Sequence, residues 1–183
     1  MAEKKHTPIA SLGQFAFVDR LCAPFAPSNP STVKGCGDDA AVIDAGDKYM
    51  LFTTDLLLEG VQFDLTYFPL QHLGYKAVVA GISDILAMNG TPRQVTLALG
   101  ISSRFSVETV EQLYEGVRYA CRDYKVDLAG GDMSASVNGL TIAVSAVGEV
   151  AKDKIVYRSG AQVNDLICVW KRRNYSIGLM WRN

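Results

Sequence analysis

The stretch Gly35-Cys36-Gly37-Asp38-Asp39-Ala40-Ala41-Val42-Ile43-Asp44-Ala45-Gly46-Asp47-Lys48-Tyr49-Met50-Leu51-Phe52-Thr53-Thr54-Asp55 decides the fold. Its first six residues satisfy G-x-G-x-x-A, the fingerprint of a dinucleotide-binding βαβ unit. That fingerprint follows a buried strand and hands a pyrophosphate to a helix N-terminus. Here two carboxylates would face the phosphate, and strands follow instead of a helix: 40–44 and 48–54, joined by a tight turn at Ala45-Gly46-Asp47. A Rossmann site is therefore rejected. Adjacent aspartates suit cations that bridge to phosphate, although an isolated Gly-Asp-Asp is also an ordinary solvated turn.

Upstream, apolar side chains at Ile9, Leu12, Phe15, Phe17 and Leu21 form a helical stripe over 8–21 with Gly13 inside it. Pro24, Pro27 and Pro30 then make a loop that delivers the chain to Gly35. Downstream, Leu73, Ala77, Val78, Ile82, Ile85 and Leu86 recur at helical spacing within 70–88, and Asn89-Gly90 with Pro92 supplies the stop. Val95 to Ile101 reads as a strand. Ser106 caps a helix whose apolar face uses Val110, Leu113, Tyr114, Val117, Cys121 and Tyr124. Short, apolar 126–129 runs into a loop at Gly130-Gly131-Asp132, and 140–150 alternates as a strand. The aromatic positions at helical spacing are expected in the core. The pattern is α+β or α/β, without an internal repeat.

Four short acidic stations mark this framework: Gly37-Asp38-Asp39-Ala40, Thr53-Thr54-Asp55, Ser83-Asp84 and Gly130-Gly131-Asp132. Thr53, Thr54 and Asp55 offer two hydroxyls and a carboxylate at the expected end of a strand, which also describes a cap. Asp84 lies inside a largely apolar helix, where an unpaired carboxylate is costly and requires a cation, an Arg or Lys, or solvent. Paired glycines before Asp132 let the backbone approach a ligand, or simply make a turn. Each station has an ordinary explanation. Their conjunction, with no member inside a charge run, points to a nucleotide-using enzyme with magnesium-bound phosphates.

Composition narrows the alternatives. With 183 residues the chain can bury a sizeable core in one main domain. Eighteen Lys plus Arg against nineteen Asp plus Glu demand no cationic surface, so no nucleic-acid partner is expected. Four scattered cysteines form no Cys-x-x-Cys pair and favour neither a zinc site nor a disulfide framework. The start, Met1 to His6, lacks a secretory signal, and no apolar run is long enough to span a membrane. The expected location is cytoplasmic. The two histidines, His6 and His72, give a His-based triad or zinc site little support.

Taken in order and spacing over residues 10–169, these strings resemble the thiamine-monophosphate kinase family, part of a superfamily with aminoimidazole ribonucleotide synthetase and selenophosphate synthetase. The resemblance adds Glu59-Gly60-Val61-Gln62-Phe63, Gly74-Tyr75-Lys76-Ala77 and Tyr157-Arg158-Ser159-Gly160-Ala161 to the stations. It implies an N-terminal ATP- and Mg2+-binding domain over 1–150, a mixed sheet flanked by helices that forms a homodimer through the sheet. Residues 151–183 would be a linker and the start of a missing or truncated second domain.

The activity implied is ATP-dependent phosphorylation of thiamine monophosphate to thiamine diphosphate, impaired in so short a chain. By the same carry-over Asp39, Thr53, Thr54, Asp55, Asp84 and Asp132 hold metal, and Gly131, Asp132 and Arg158 lie near ATP. Gln62 stands where the family commonly has a substrate-touching His, which keeps hydrogen bonding but loses an ionisable group. After Val169 the sequence Trp170-Lys171-Arg172-Arg173-Asn174 departs from the family's Thr-Gly-rich turn. The alternatives are a non-catalytic nucleotide-binding or dimerising relative and a sister activity of the superfamily. The latter is disfavoured because an Asp-Gly-Val-Gly-Thr-Lys string and an N-terminal Cys and Lys pair are both missing.

Overall fold

The computed structural model describes residues 6–170 and 178–182, with 168–170 and 178–182 described by backbone alone. Most of the departing tail, 171–177 and Asn183, lies outside the described residues, as do residues 1–5.

Six strands make one mixed sheet in the order β1-β2-β3-β6-β4-β5. They are β1 (Thr32–Lys34), β2 (Ala41–Asp44), β3 (Lys48–Leu58), β4 (Thr91–Ile101), β5 (Asp127–Ala135) and β6 (Leu140–Ala151). Only β4 and β5 run parallel, and helix α3 (Val107–Tyr124) provides the crossover that a parallel pair requires. Helix α2 (Leu70–Ala87) packs beside α3 and against β3, β4 and β6. Helix α1 (Gln14–Cys22) buries none of its residues. A separate two-stranded sheet pairs β7 (Leu166–Trp170) with β8 (Gly178–Arg182).

Strand alternation explains the layering. On β6 every second residue, from Leu140 to Val150, is buried under the helices. On β3 the buried Leu51, Thr53 and Leu57 and the half-buried Asp55 share that side, while Met50, Phe52, Thr54, Leu56 and Leu58 emerge on the open face. The α2 stripe read from the sequence holds at Leu73, Ala77, Val78, Ile82 and Ile85, all fully buried, but not at Leu86, which is exposed because it turns past the sheet-facing side of the helix. Glycine sets how closely α2 and α3 approach. A methyl group on Gly74 would lie 1.9 Å from the Leu113 carbonyl oxygen, and one on Gly116 would lie 1.8 Å from that of Gln71. The Ser106 hydroxyl caps α3 by accepting from Thr109 N at 3.3 Å, and Lys125, at φ 55°, ends it.

Five local expectations need correction. Gly130-Gly131-Asp132 is not a loop but the middle of β5, because Gly131 lets this edge strand lie where a Cβ would strike the Leu97 carbonyl oxygen at 2.0 Å. Asp55 does not end its strand, because β6 is long enough to pair with β3 as far as Leu58. The helix over 8–21 is split: Gly13, at φ 73°, separates a 3-10 turn at Ile9–Ser11 from α1. Strand β1, directly after Pro30, was unmarked in the sequence. Among the aromatics, Tyr75 and Tyr114 pack on the core but Phe15 is 77% exposed. The turn at 45–47 forms as expected, closed by Ala45 N to Lys48 O at 3.0 Å.

Candidate functional site

The helix-facing side of β3 and the C-terminal half of α2 bring two stations together. Thr53, only 7% exposed, donates its hydroxyl to Asp84 Oδ2 at 2.6 Å. Asp55 follows on the same side of β3. Burial pushes the Asp55 carboxyl above its usual range. Asp84 is shifted the same way, first by burial and then by the negative charges of Asp55 and Asp39, against the opposing pull of the Thr53 hydroxyl and Arg158. Like charges gathered at a half-buried spot favour either protons or a cation.

The Gly-Asp-Asp loop supplies the third station, and its two aspartates do different things. Asp39 Oδ1 accepts from Arg158 Nε at 2.8 Å and also from the guanidinium's terminal nitrogen. Asp38 turns inward, its side chain 1% exposed and 3.2 Å from Lys34 Nζ. Its Oδ1 accepts from Asp39 N at 3.1 Å and Arg158 N at 3.2 Å. Asp38 therefore organises the loop, and Asp39 faces Arg158 on the side toward Asp84. Arg158 is brought in by a strap that follows β6: Val156 N donates to Met88 O at 3.2 Å, and Asn89 Nδ2 donates to Lys154 O at 2.8 Å. Asn89 reaches that position through a left-handed φ of 61° at the end of α2.

The remaining candidates lie elsewhere. Thr54 projects to the open face, where it hydrogen-bonds Ser145 at 3.1 Å. Asp132 lies on β5 beside Ala98, in the same open-face row as Ala143 and Leu56. It is three strand spacings from β3, about 14 Å, and on the other side of the sheet from Asp55 and Asp84. Gly131 and Asp132 are both exposed. Gln62 sits in the connection after β3, where its Oε1 accepts from Leu58 N at 2.8 Å and its carbonyl accepts from Lys76 Nζ at 2.6 Å. Its side-chain oxygen thus holds a turn. Sequence reasoning did not single out Lys34, Met88 or the ion pair of Glu59 with Arg104. Met88 and the Glu59–Arg104 pair act through contacts distant in sequence, for which no local pattern exists, whereas Lys34 reaches Asp38 only four residues on.

Among the described residues, no three or more His, Cys, Asp or Glu side chains converge closely enough to cage a metal alone. The donor set still fits magnesium, which commonly uses one or two carboxylates and completes its shell with phosphate oxygens and water. Two half-buried carboxyls with raised proton affinity, a third carboxylate and a neighbouring guanidinium have the chemistry to hold a cation and a phosphate.

A six-stranded mixed sheet carrying acidic groups at its β3–α2 face defines the class, and residues 37–150 match the family model described as AIR synthase related protein, N-terminal domain. The chain belongs to that family. It is 34% identical over 161 residues to thiamine-monophosphate kinase of Aquifex aeolicus, covering 88% of this chain and 49% of the relative. It is 35% identical over 136 residues to the Bacillus subtilis enzyme of the same name, covering 74% and 42%. A solved structure of AaThiL complexed with AMPPCP and TMP aligns with a TM-score of 0.77 at 32% identity, over 87% of this chain and 48% of that one. The chain spans about half the length of the relatives it matches. Among the described residues, no helix is long and apolar enough to cross a membrane.

Proposed function

We propose that this chain is the nucleotide- and cation-handling half of an ATP-dependent thiamine-monophosphate kinase. The observation that carries the proposal is the meeting of Thr53, Asp84 and Asp55 from β3 and α2 with Asp39 and Arg158. Asp39, Asp55 and Asp84 are assigned to Mg2+, with Thr53 orienting Asp84. The ion would neutralise ATP phosphate charge. Arg158 provides a fixed positive fork for a phosphate oxygen once it exchanges Asp39 for the nucleotide. The acceptor, thiamine monophosphate, already carries a nucleophilic phosphate oxygen. Positioning and charge neutralisation can then do most of the work without a strong base.

Gly131 and Asp132 are assigned to ATP, and Thr54 and Asp132 to the metal set, on the opposite face of the sheet. Met50, Phe52, Leu56 and Leu58 expose an apolar row on β3, which a second copy would cover in the homodimer of this assignment, with Thr54 and Asp132 then facing that copy. Residues 1–150 form the main ATP- and Mg2+-binding unit in this assignment, 151–183 a linker that lends it Arg158, and the setting is cytoplasmic. Gln62 is assigned to the substrate side, with its amide oxygen occupied by the Leu58 N–H.

The deciding experiment incubates the purified chain with ATP, magnesium and thiamine monophosphate, alone and fused to the second half of a full-length relative. Thiamine diphosphate from the fusion, lost on Asp84→Asn, supports the proposal. ATP binding without turnover in either form favours a non-catalytic nucleotide-binding or dimerising protein.

A further inference from the structure

The cysteines, scattered in sequence, are not all scattered in space. Cys22, the last residue of α1, and Cys36, in the loop before Asp38, line one open cavity of about 270 Å³ together with Val18, Asp19, Phe25 and Gly35. Both thiols are free, and each faces the same cavity. We infer that Cys22 and Cys36 form a reversible disulfide, a redox modification site that ties α1 to the Gly-Asp-Asp loop.

The local structure favours such a bond. Cys36 is exposed and Cys22 half-buried, so an oxidant reaches Cys36 first and Cys22 follows as the resolving thiol. The neighbouring Cys36 pushes the Cys22 thiol above its usual range, with burial and Asp19 acting in the same direction, so Cys22 is the less reactive thiol toward oxidant and Cys36 reacts first. Gly35 and Gly37 flank Cys36, and Gly37 already stands at φ 105°. The main chain there can adjust to the narrow geometry that a disulfide requires. Helix α1 buries no residue of its own, so a covalent link would be its principal attachment to the loop that carries Asp38 and Asp39.

With a peroxide as oxidant the step balances. The Cys36 sulfur attacks one peroxide oxygen, the O–O bond breaks, and a sulfenic acid and one water form. The Cys22 sulfur then displaces the sulfenic oxygen as a second water. Two thiols are oxidised by two electrons, the peroxide is reduced by two, and both thiol protons leave in water. In a reducing compartment such a bond is transient and sensing rather than structural.

The test uses the full chain. Reduced protein is treated with equimolar hydrogen peroxide, remaining thiols are alkylated, and a digest is mapped without reduction. The expected product is a peptide linking Cys22 to Cys36, reversed by dithiothreitol, with titratable thiols falling from four to two. It should persist in a Cys121→Ser, Cys168→Ser double variant and vanish in Cys36→Ser. Hydrogen exchange should slow by about tenfold across 14–22 and 35–40 in the oxidised chain. Irreversible Cys36 sulfinic acid without the linked peptide, or a link from Cys36 to Cys121 or Cys168, would overturn the proposal. So would a linked chain whose α1 exchanges as fast as in the reduced protein.

Discussion

The Thr53 hydroxyl donates to Asp84 Oδ2 at 2.6 Å, joining the middle of β3 to the C-terminal half of α2. Among the described residues this is the one side-chain hydrogen bond to the Asp84 carboxylate, which burial first, and then the charges of Asp55 and Asp39, push toward protonation. Thr53→Val keeps the shape of the side chain and removes the donor. A loss of about 1–3 kcal/mol in urea unfolding is expected, with Thr53→Ser recovering most of it. Equal stability of the Val variant and the parent would show that the bond contributes nothing net.

Asp55 should trade stability for binding. Its folded carboxyl holds a proton to higher pH than the unfolded chain does, because of burial. The folded state therefore binds more protons in that window, and stability falls as pH rises from about 3.9 through the folded value. In chelator, Asp55→Asn is expected to melt above the parent at neutral pH, with the gap closing near about pH 4. Magnesium-dependent ATP affinity, read by calorimetry, should fall about tenfold in the same variant, as for Asp84→Asn. A variant that melts below the parent across the whole range would refute the burial argument.

Asp38 should behave as a structural clamp. Its inward carboxylate sits beside Lys34 and accepts from the Asp39 and Arg158 backbone N–H groups. Asp38→Ala should cost about 1–3 kcal/mol and speed hydrogen exchange at 37–40 and 157–160 together. Faster exchange in only one of the two segments would mean that Asp38 does not couple them.

Gly116 tests the packing of the helices. An added Cβ would lie 1.8 Å from the Gln71 carbonyl oxygen, so Gly116→Ala should cost about 3 kcal/mol or more, because a backbone must move. Circular dichroism melts suffice, and a change below about 0.5 kcal/mol would mean that the helices can separate freely.

For the open face, Phe52→Lys and Leu56→Lys should convert a dimer into a folded monomer in analytical ultracentrifugation, since each plants a charge in an apolar row. A parent chain that is already monomeric at high concentration would remove the dimer from the functional scheme.

Helices α2 and α3 and strands β2, β3, β4 and β6 were legible because their signals are local. The α2 stripe from Leu73 to Ile85 and the β6 alternation each state their own burial. What escaped depends on partners remote in sequence. Gly130-Gly131-Asp132 carries turn residues, yet pairing with β4 holds it as a strand. Asp55 seemed to end a strand whose length is fixed by β6, more than eighty residues later. At the site, residue types were readable but facing was not. Thr53 and Thr54 are adjacent and chemically alike, and only strand phase sends one to Asp84 and the other to Ser145. The separate duties of Asp38 and Asp39 became visible only once Lys34 and Arg158 were placed around them.

Gly74 and Gly116 seat α2 on α3 by backbone rather than by side chains. The sideways placement of α2, the helix that carries Asp84, is thus gauged in part by main chain against main chain, which does not change when a leucine becomes a methionine. Mutational latitude in this protein should accordingly be uneven. The aliphatic interior can drift while the acidic groups keep their spacing, and two positions without side chains admit almost no replacement.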